Sequence, residues 1–439
     1  MDYQEAKRYL AQREGAGIQL GLSRMRYLLK QLGNPQDKLT FVHVAGTNGK
    51  GSVSAYISSV LAVSGYRVGR YVSPAVFCEE EIIQYEDEQG VHMMEESLYA
   101  KMVTEVADIL GQMKKEGRAQ MLPTRFEVET AMAFMSFLSW NCDVVVLEAG
   151  LGGVDDATNV IDRVLLSVIT PIAMDHMAVL GNTMEEIAKK KAGIIRPKVP
   201  VVTMQKDSAA LDVIVQTAKE KGAACHIVSQ SDYKIVSAGL LGNTFQYLNT
   251  QTDGDGGVLY QTQMAGLYQV ENASLAIEVC HRLSLSDFHI SLSDIQKGIQ
   301  RAKWRGRFEI FSENPCVILD GAHNPAGAGA LLTALETLLP ENTTIHGVMG
   351  VYRDKDYKAM VQILAPVFQD VVTITPRGKR GLDGEILARI WRENGCQRAD
   401  ARESVAQAVQ TVKKRCRQGE VIVFFGSLSF MSEIRKEWR

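Results

Sequence analysis

The chain has 439 residues, 46% of them apolar and 23% charged, with a formal net charge of −3. At roughly 100–200 residues per domain this is too long for one hydrophobic core, and it predicts two or three domains. The slight acidity excludes a broad nucleic-acid or anionic-membrane surface, which would need a basic face, but leaves room for a local basic pocket around a small anionic substrate. The opening MDYQEAKRYLAQREG is charged and amphipathic, with none of the apolar core of a signal peptide. No uninterrupted apolar run is long enough to span a bilayer. The seven cysteines, at 78, 142, 225, 280, 316, 396 and 416, form no C-x-x-C pair. They read as structural thiols of a cytoplasmic protein.

In chain order, the first forty residues read as helical up to a turn at Gly33–Asn34–Pro35. A strand over Leu39 to Val44, a glycine-rich turn, a helix ending near Ser64–Gly65 and a strand over Arg67 to Val72 follow. This β–loop–α–β unit implies parallel strands and a right-handed crossover. A helix is predicted from Arg125 to Trp140, then buried strands over Asp143–Leu147 and Val164–Thr170. Residues 184–193 read as a helix leading into a strand at Val199–Thr203. Phe245–Met264, centred on Asp253–Gly257, reads as a β-hairpin with a glycine-rich tip. From about residue 300 a second alternating series begins, with strands at Val317–Leu319, Thr344–Val348, Val371–Thr375 and Val421–Phe425. The expected division is therefore 1–299 and 300–439, both α/β.

The sharpest local signal is Gly46–Thr47–Asn48–Gly49–Lys50–Gly51–Ser52, between a predicted strand and a predicted helix. Glycines let backbone N–H groups approach phosphate oxygens, the helix N-terminus adds its positive end, and Lys50 adds a point charge. Ser52 is placed to ligate magnesium. The strict Walker pattern fails at Val44, where glycine is wanted, and at Gly51, where Ser or Thr is wanted. The plain alternative is a ligand-free glycine turn. The coincidence of lysine and hydroxyl at the helix start weighs against it. Glu148 ends the run Asp143–Leu147 and precedes Ala149–Gly150–Leu151–Gly152–Gly153. Alone it would be a solvated strand cap; beside a phosphate loop it is a natural magnesium ligand.

GTNGKGS, LEAGLGGVDDATNV at 147–160 and DGAHNP at 320–325 together resemble folylpolyglutamate synthase/dihydrofolate synthase, the folate branch of the Mur ligase superfamily. The resemblance runs from LGLSRMRYLL at 20–29 to FFGSLSFMSEIR at 424–435. It implies a P-loop ATPase domain of the Mur central type, a C-terminal Rossmann-like domain and an active site between them. It also implies an ATP-dependent ligase of folate and one-carbon metabolism. L-glutamate would be added to a folate through an acyl phosphate, and use of dihydropteroate stays open.

Residue by residue, the resemblance puts Asn48, Gly49, Lys50 and Gly51 on the ATP phosphates, and Ser52, Ser73, Glu148 and His176 on two magnesium ions. Lys191, in EIAKKKAGII, matches a lysine that the family carbamylates. Asn272, Arg307 and Asp320 fall on the nucleotide. Lys50, His176, Lys191 and His323 carry the catalytic assignment. On composition alone His176 would be a core or loop histidine, Lys191 part of a solvated lysine face, and DGAHNP a helix cap. Lys355 and Asp356, in YRDKDY, fit either a family element or an exposed helix cap.

Val154 and the loop SPAVFCEEEI at 73–82 depart from the commoner family pattern, which puts the folate form in doubt. Apolar or aromatic surface for a pterin ring is expected near that loop, and a monomer is implied. The competing readings are another Mur-type ligase, such as a cell-wall peptide ligase, and a non-catalytic nucleotide-binding protein. Cell-wall ligases usually carry a preceding sugar-nucleotide domain and Thr or Ser after the loop lysine.

Overall fold

The computed structural model describes residues 1–13, 17, 19–248, 257–396 and 398–438. Its first sheet contains β1 (Phe41–Ala45), β2 (Val68–Tyr71), β3 (Ile83–Asp87), β4 (Gly90–Met93), β5 (Val144–Glu148), β6 (Val164–Ile169), β7 (Val201–Thr203) and β8 (Cys225–Ile227). The order is β4-β3-β2-β5-β1-β6-β7-β8. Every residue of β1 and β5 is buried, which is why both read as near-continuous apolar runs, interrupted by His43 in β1 and ended by Glu148 in β5. β1 and β2 are parallel, as the βαβ pattern implies, but they are not neighbours: β5 lies between them and pairs with both. β3 and β4 extend the edge antiparallel.

A second sheet of β9 (Tyr233–Gly239), β10 (Gly242–Tyr247) and β11 (Val258–Thr262) is antiparallel. It contains the expected hairpin, whose tip at 253–256 lies outside the described residues. The third sheet contains β12 (Glu309–Glu313), β13 (Cys316–Leu319), β14 (Ile345–Met349), β15 (Asp370–Ile374), β16 (Ala399–Arg402) and β17 (Val421–Phe425). Its order is β12-β13-β17-β14-β15-β16, parallel except at β12.

The N-terminal helical stretch is two helices, Tyr3–Ala11 and Ser23–Gln31, followed by a short turn of helix at Pro35–Lys38. The helix Lys50–Val63 is buried on nearly every face, from Ser52 through Ala62. It shares one core with the helices Tyr268–Ser284 and Leu292–Arg301, so the glycine loop at its start is anchored from behind. Among the described residues no helix is long and apolar enough to cross a membrane. All seven cysteines are free thiols.

His43, in β1, is fully buried; its Nε2 faces Thr158 Oγ1 at 2.9 Å. Burial, reinforced by the charge of Arg196, lowers its pKa from 6.5 to about 3. Between those values the unfolded chain binds a proton that the folded chain refuses, so stability rises with pH across this window. The contribution is complete above pH 6.5 and is lost as pH falls toward about 3. It amounts to something on the order of 4–5 kcal/mol, at about 1.4 kcal/mol per pH unit. His43→Gln is expected to flatten this acid loss, measured as urea midpoints at about pH 7 and about pH 4.5. An equally steep loss in the variant would assign the acid sensitivity to other groups.

Candidate active site

The glycine loop leaves β1 and turns into the helix Lys50–Val63. Gly46 has φ +148°, and a Cβ there would stand 1.9 Å from Thr170 Oγ1, so no side chain fits without moving β6. Gly49 is the helix N-cap. At Gly51 a Cβ would stand 2.8 Å from the Trp304 indole nitrogen. The indole thus takes the space that the Walker Ser or Thr would fill.

The loop is strapped to the segment after β6. The N–H groups of Thr47 and Asn48 donate to the Pro171 carbonyl at 3.1 and 3.2 Å, and Thr47 Oγ1 donates to the Ala173 carbonyl at 3.1 Å. Lys50 folds back over the loop: its Nζ donates to the Thr47 carbonyl at 3.2 Å and lies 3.7 Å from Glu148 Oε1. Ser52 is buried, its Oγ accepting from Gln269 Nε2 at 3.3 Å. Asn272 Nδ2 in turn donates to Gln269 Oε1 at 3.0 Å.

Glu148 stands at the end of β5, fully buried. Burial pushes its carboxyl up to about 7, against the opposing pull of Lys50, Arg307 and the Ser73 backbone N–H. It is a carboxylate with too little positive charge around it, and a divalent cation would supply the deficit. Arg307 reaches this region from the chain just before β12. The turn that carries it is held by Asp320, whose carboxylate accepts from the Ala322 N–H at 2.8 Å, the Phe308 N–H at 2.8 Å and Tyr268 OH at 2.9 Å. Oδ2 thus holds the Arg307 turn, while Oδ1 closes the turn after Asp320 itself.

Lys191, expected from composition to be a solvated helix face, is buried, and its Nζ donates to the Gly46 carbonyl at 2.6 Å. Burial first, then the charge of Lys50, lowers its pKa to about 7. A substantial share is thus the neutral amine near pH 7, the form that attacks carbon dioxide.

Across the cleft, Asp175 gathers three side chains. Lys355 Nζ donates to it at 2.6 Å and Asn324 Nδ2 at 3.2 Å, and His323 Nε2 lies 3.4 Å away. Its neighbour His176 accepts at Nε2 from Lys355 Nζ at 3.2 Å. Burial acts to raise the Asp175 pKa, but His323, Lys355 and His176 outweigh it and hold the carboxyl well below the usual carboxylate range. Burial and the Lys355 charge lower His176 to about 4, so its imidazole is neutral. The Asn48 and Asn324 amides exchange hydrogen bonds at 3.2 and 3.0 Å, tying the glycine loop to the helix Pro325–Leu338.

Of the YRDKDY pair, Lys355 joins the site, whereas Asp356 is a helix cap, accepting from the Ala359 N–H at 3.2 Å. Asp175, Gln269 and Trp304 join the site without a sequence signal of their own, and Asn324 joins it from within DGAHNP. The 73–82 loop offers less open apolar surface than expected. Val76 is buried in one apolar cluster with residues of the third sheet, and Phe77 lies under Arg435, its ring centre 3.7 Å from the guanidinium carbon. Glu81 ties the loop down by accepting from the Val76 and Phe77 N–H groups at 3.1 and 2.9 Å.

The model for the Mur ligase middle domain matches residues 44–280, and that for the Mur ligase glutamate ligase domain matches 306–428. The dihydrofolate synthase/folylpolyglutamate synthase of Bacillus subtilis is 33% identical over 450 residues, covering 99% of this chain and 98% of its own. This chain belongs to the folylpolyglutamate synthase/dihydrofolate synthase branch of the Mur ligase family. It is therefore an ATP-dependent ligase by family, with the α/β architecture that the resemblance implies. Among solved structures, the Mycobacterium tuberculosis folylpolyglutamate synthase complexed with ADP matches with a TM-score of 0.87 at 28% identity, covering 99% of this chain and 97% of that one. Escherichia coli FolC in complex with DHPP and ADP matches with a TM-score of 0.84 at 29% identity, covering 99% and 97%.

Proposed function

We propose that this ligase adds L-glutamate to the carboxylate of a folate, with dihydropteroate as a second acceptor, through an acyl phosphate made from ATP. The observation that carries this reading is the pairing of Lys50 with the buried Glu148 at the mouth of the glycine loop, with Arg307 beside it. Solved relatives hold ADP or AMPPCP, and one holds DHPP with ADP. The acceptor carboxylate attacks the γ-phosphorus of ATP and ADP leaves. The glutamate amine then attacks the acyl carbon, phosphate leaves, and the nitrogen loses a proton.

Lys50 would lie against the transferring phosphoryl and offset its charge, with the loop N–H groups from Gly49 to Ser52 around the phosphates. Arg307 would meet the nucleotide, its turn held by Asp320, and Asn272 would border the same site. His323 would face the phosphates from the opposite wall. The Asp175–Lys355 and Asn48–Asn324 contacts would hold the cleft closed, keeping water from the acyl phosphate. We place the division between the two halves near residue 300, with 1–299 and 300–439 as the domains, and read the enzyme as a cytoplasmic monomer.

Magnesium fits one part of the assigned set directly. Glu148 is a buried acid short of positive charge, near the Ser73 backbone and the start of the Lys50–Val63 helix where Ser52 sits. His176 fits once Lys355 moves off its Nε2, or once Lys191 carries a carbamate that draws the cations apart. When bound, the ion supplies charge stabilisation to phosphoryl transfer. The acyl phosphate is tested with acceptor carboxylate labelled with heavy oxygen. One label should pass to inorganic phosphate in each turnover; label-free phosphate would rule out the intermediate.

A further inference from the structure

We propose that His346, Cys416 and Glu420 form a zinc site on the C-terminal sheet, on the rim opposite the catalytic cleft. Among the described residues they are the one group of three or more His, Cys, Asp or Glu whose donor atoms all lie within 4.8 Å of one another. His346 stands near the start of β14, Cys416 caps the end of the helix Val405–Arg415, and Glu420 immediately precedes β17. The cleft residues Asp320, His323 and Lys355 follow the opposite ends of β13 and β14. An ion here would tie a helix end to two adjacent strands and touch no substrate.

The chemistry of the donor set favours zinc. Imidazole, thiolate and carboxylate are all zinc ligands, whereas magnesium and calcium take oxygen alone. The histidine is already oriented: His346 Nδ1 lies 3.0 Å from Asp370 Oδ2, and Asp370 Oδ1 accepts from Arg415 Nη1 at 3.2 Å. A carboxylate on Nδ1 fixes the tautomer that leaves Nε2 free for a metal. Nε2 faces Glu420 Oε2 at 2.9 Å. Tetrahedral zinc with bonds of about 2.0–2.2 Å to nitrogen and oxygen separates such atoms by about 3.4 Å, so this contact need open by only about 0.5 Å. Glu420 keeps 21% of its side-chain surface exposed and Cys416 is half-buried. That leaves an entry path and a fourth position for water.

Without metal, the cluster is a histidine between two carboxylates. Burial acts to lower the His346 pKa, but Asp370 and Glu420 outweigh it and raise it. Burial pushes the Cys416 thiol up to about 11, with Glu420, Cys316 and Asp370 adding to the effect. Zinc would displace one proton from His346 and one from Cys416. The ion then has a neutral imidazole, a thiolate and a carboxylate, and its two positive charges are balanced.

The test uses the whole chain after chelator treatment, titrated near neutral pH with cobalt(II), then with zinc as competitor. The expected result is one cobalt per chain, with tetrahedral absorption and a thiolate-to-cobalt charge-transfer band. Zinc should abolish the band and raise the melting temperature. Cys416→Ser should lose the band and the zinc-dependent melting shift while keeping ligase activity. Glu420→Gln should bind cobalt more weakly. His346→Gln removes the cation between Asp370 and Glu420 and can unfold for that reason, so Cys416→Ser decides. Absence of a thiolate band with cobalt in excess, or a band that survives Cys416→Ser, would overturn the proposal and leave the cluster as an ion pair.

Discussion

Lys50→Ala is expected to lower turnover by roughly 10²-fold or more, the usual cost of deleting a preorganised group that offsets transition-state charge. The structure sharpens the reason. Lys50 Nζ is 3.2 Å from the Thr47 carbonyl and 3.7 Å from Glu148, so it is held over the loop before any phosphate arrives. Its removal also leaves Glu148 buried with Arg307 as its main remaining counter-charge. The variant should therefore bind a divalent cation differently as well as turn over slowly. Folding is checked by circular dichroism and activity by ATP-dependent phosphate release. Near-normal phosphate release from a folded Lys50→Ala protein would remove the lysine from the mechanism.

The second large effect is expected at Lys191. Lys191→Ala should cost roughly 10–100-fold in activity, the range for a group that supports a metal centre from its second shell. A short carboxylic acid added to the variant should restore part of it by occupying the vacated space. A lysine with its pKa near 7 and its Nζ against the Gly46 carbonyl presents a neutral amine that can add to carbon dioxide. The carbamate N–H can keep that hydrogen bond, while the new carboxylate meets the cations Lys50 and Lys355. High bicarbonate should raise wild-type activity and leave the alanine variant unchanged. A bare ammonium at Lys191 in a metal-loaded crystal grown near neutral pH would count against the carbamate.

The central strands were legible because burial on both faces writes a near-continuous apolar run, as in FVHVA of β1 and VVVLE of β5. The edge strands were not. GVHM of β4 alternates half-buried and exposed over four residues, and ADAR of β16 has one buried residue. Such segments become strands through pairing with a neighbour rather than through their own pattern. The glycine loop announced itself because its chemistry is contiguous in sequence. The Asp175 cluster did not, since Asp175 meets Lys355 at a sequence separation of 180 and meets His323 in the other half of the chain. Composition misread Lys191 for a physical reason: three consecutive lysines on one helix point in different directions, and of the three only Lys191 turns into the core, on the face of Ile187, Ala188 and Ala192. The same ambiguity at YRDKDY resolved both ways, with Lys355 buried in the site and Asp356 capping a helix.

The most direct measurement of the central claim supplies ATP, magnesium, L-glutamate and either a reduced folate or dihydropteroate, and follows phosphate release together with product mass. The account predicts a product heavier by one glutamyl residue, with one phosphate released per product; the acceptor that works separates the two activities. If neither acceptor yields product while a cell-wall precursor with another amino acid does, the folate assignment is contradicted and only the ligase class stands.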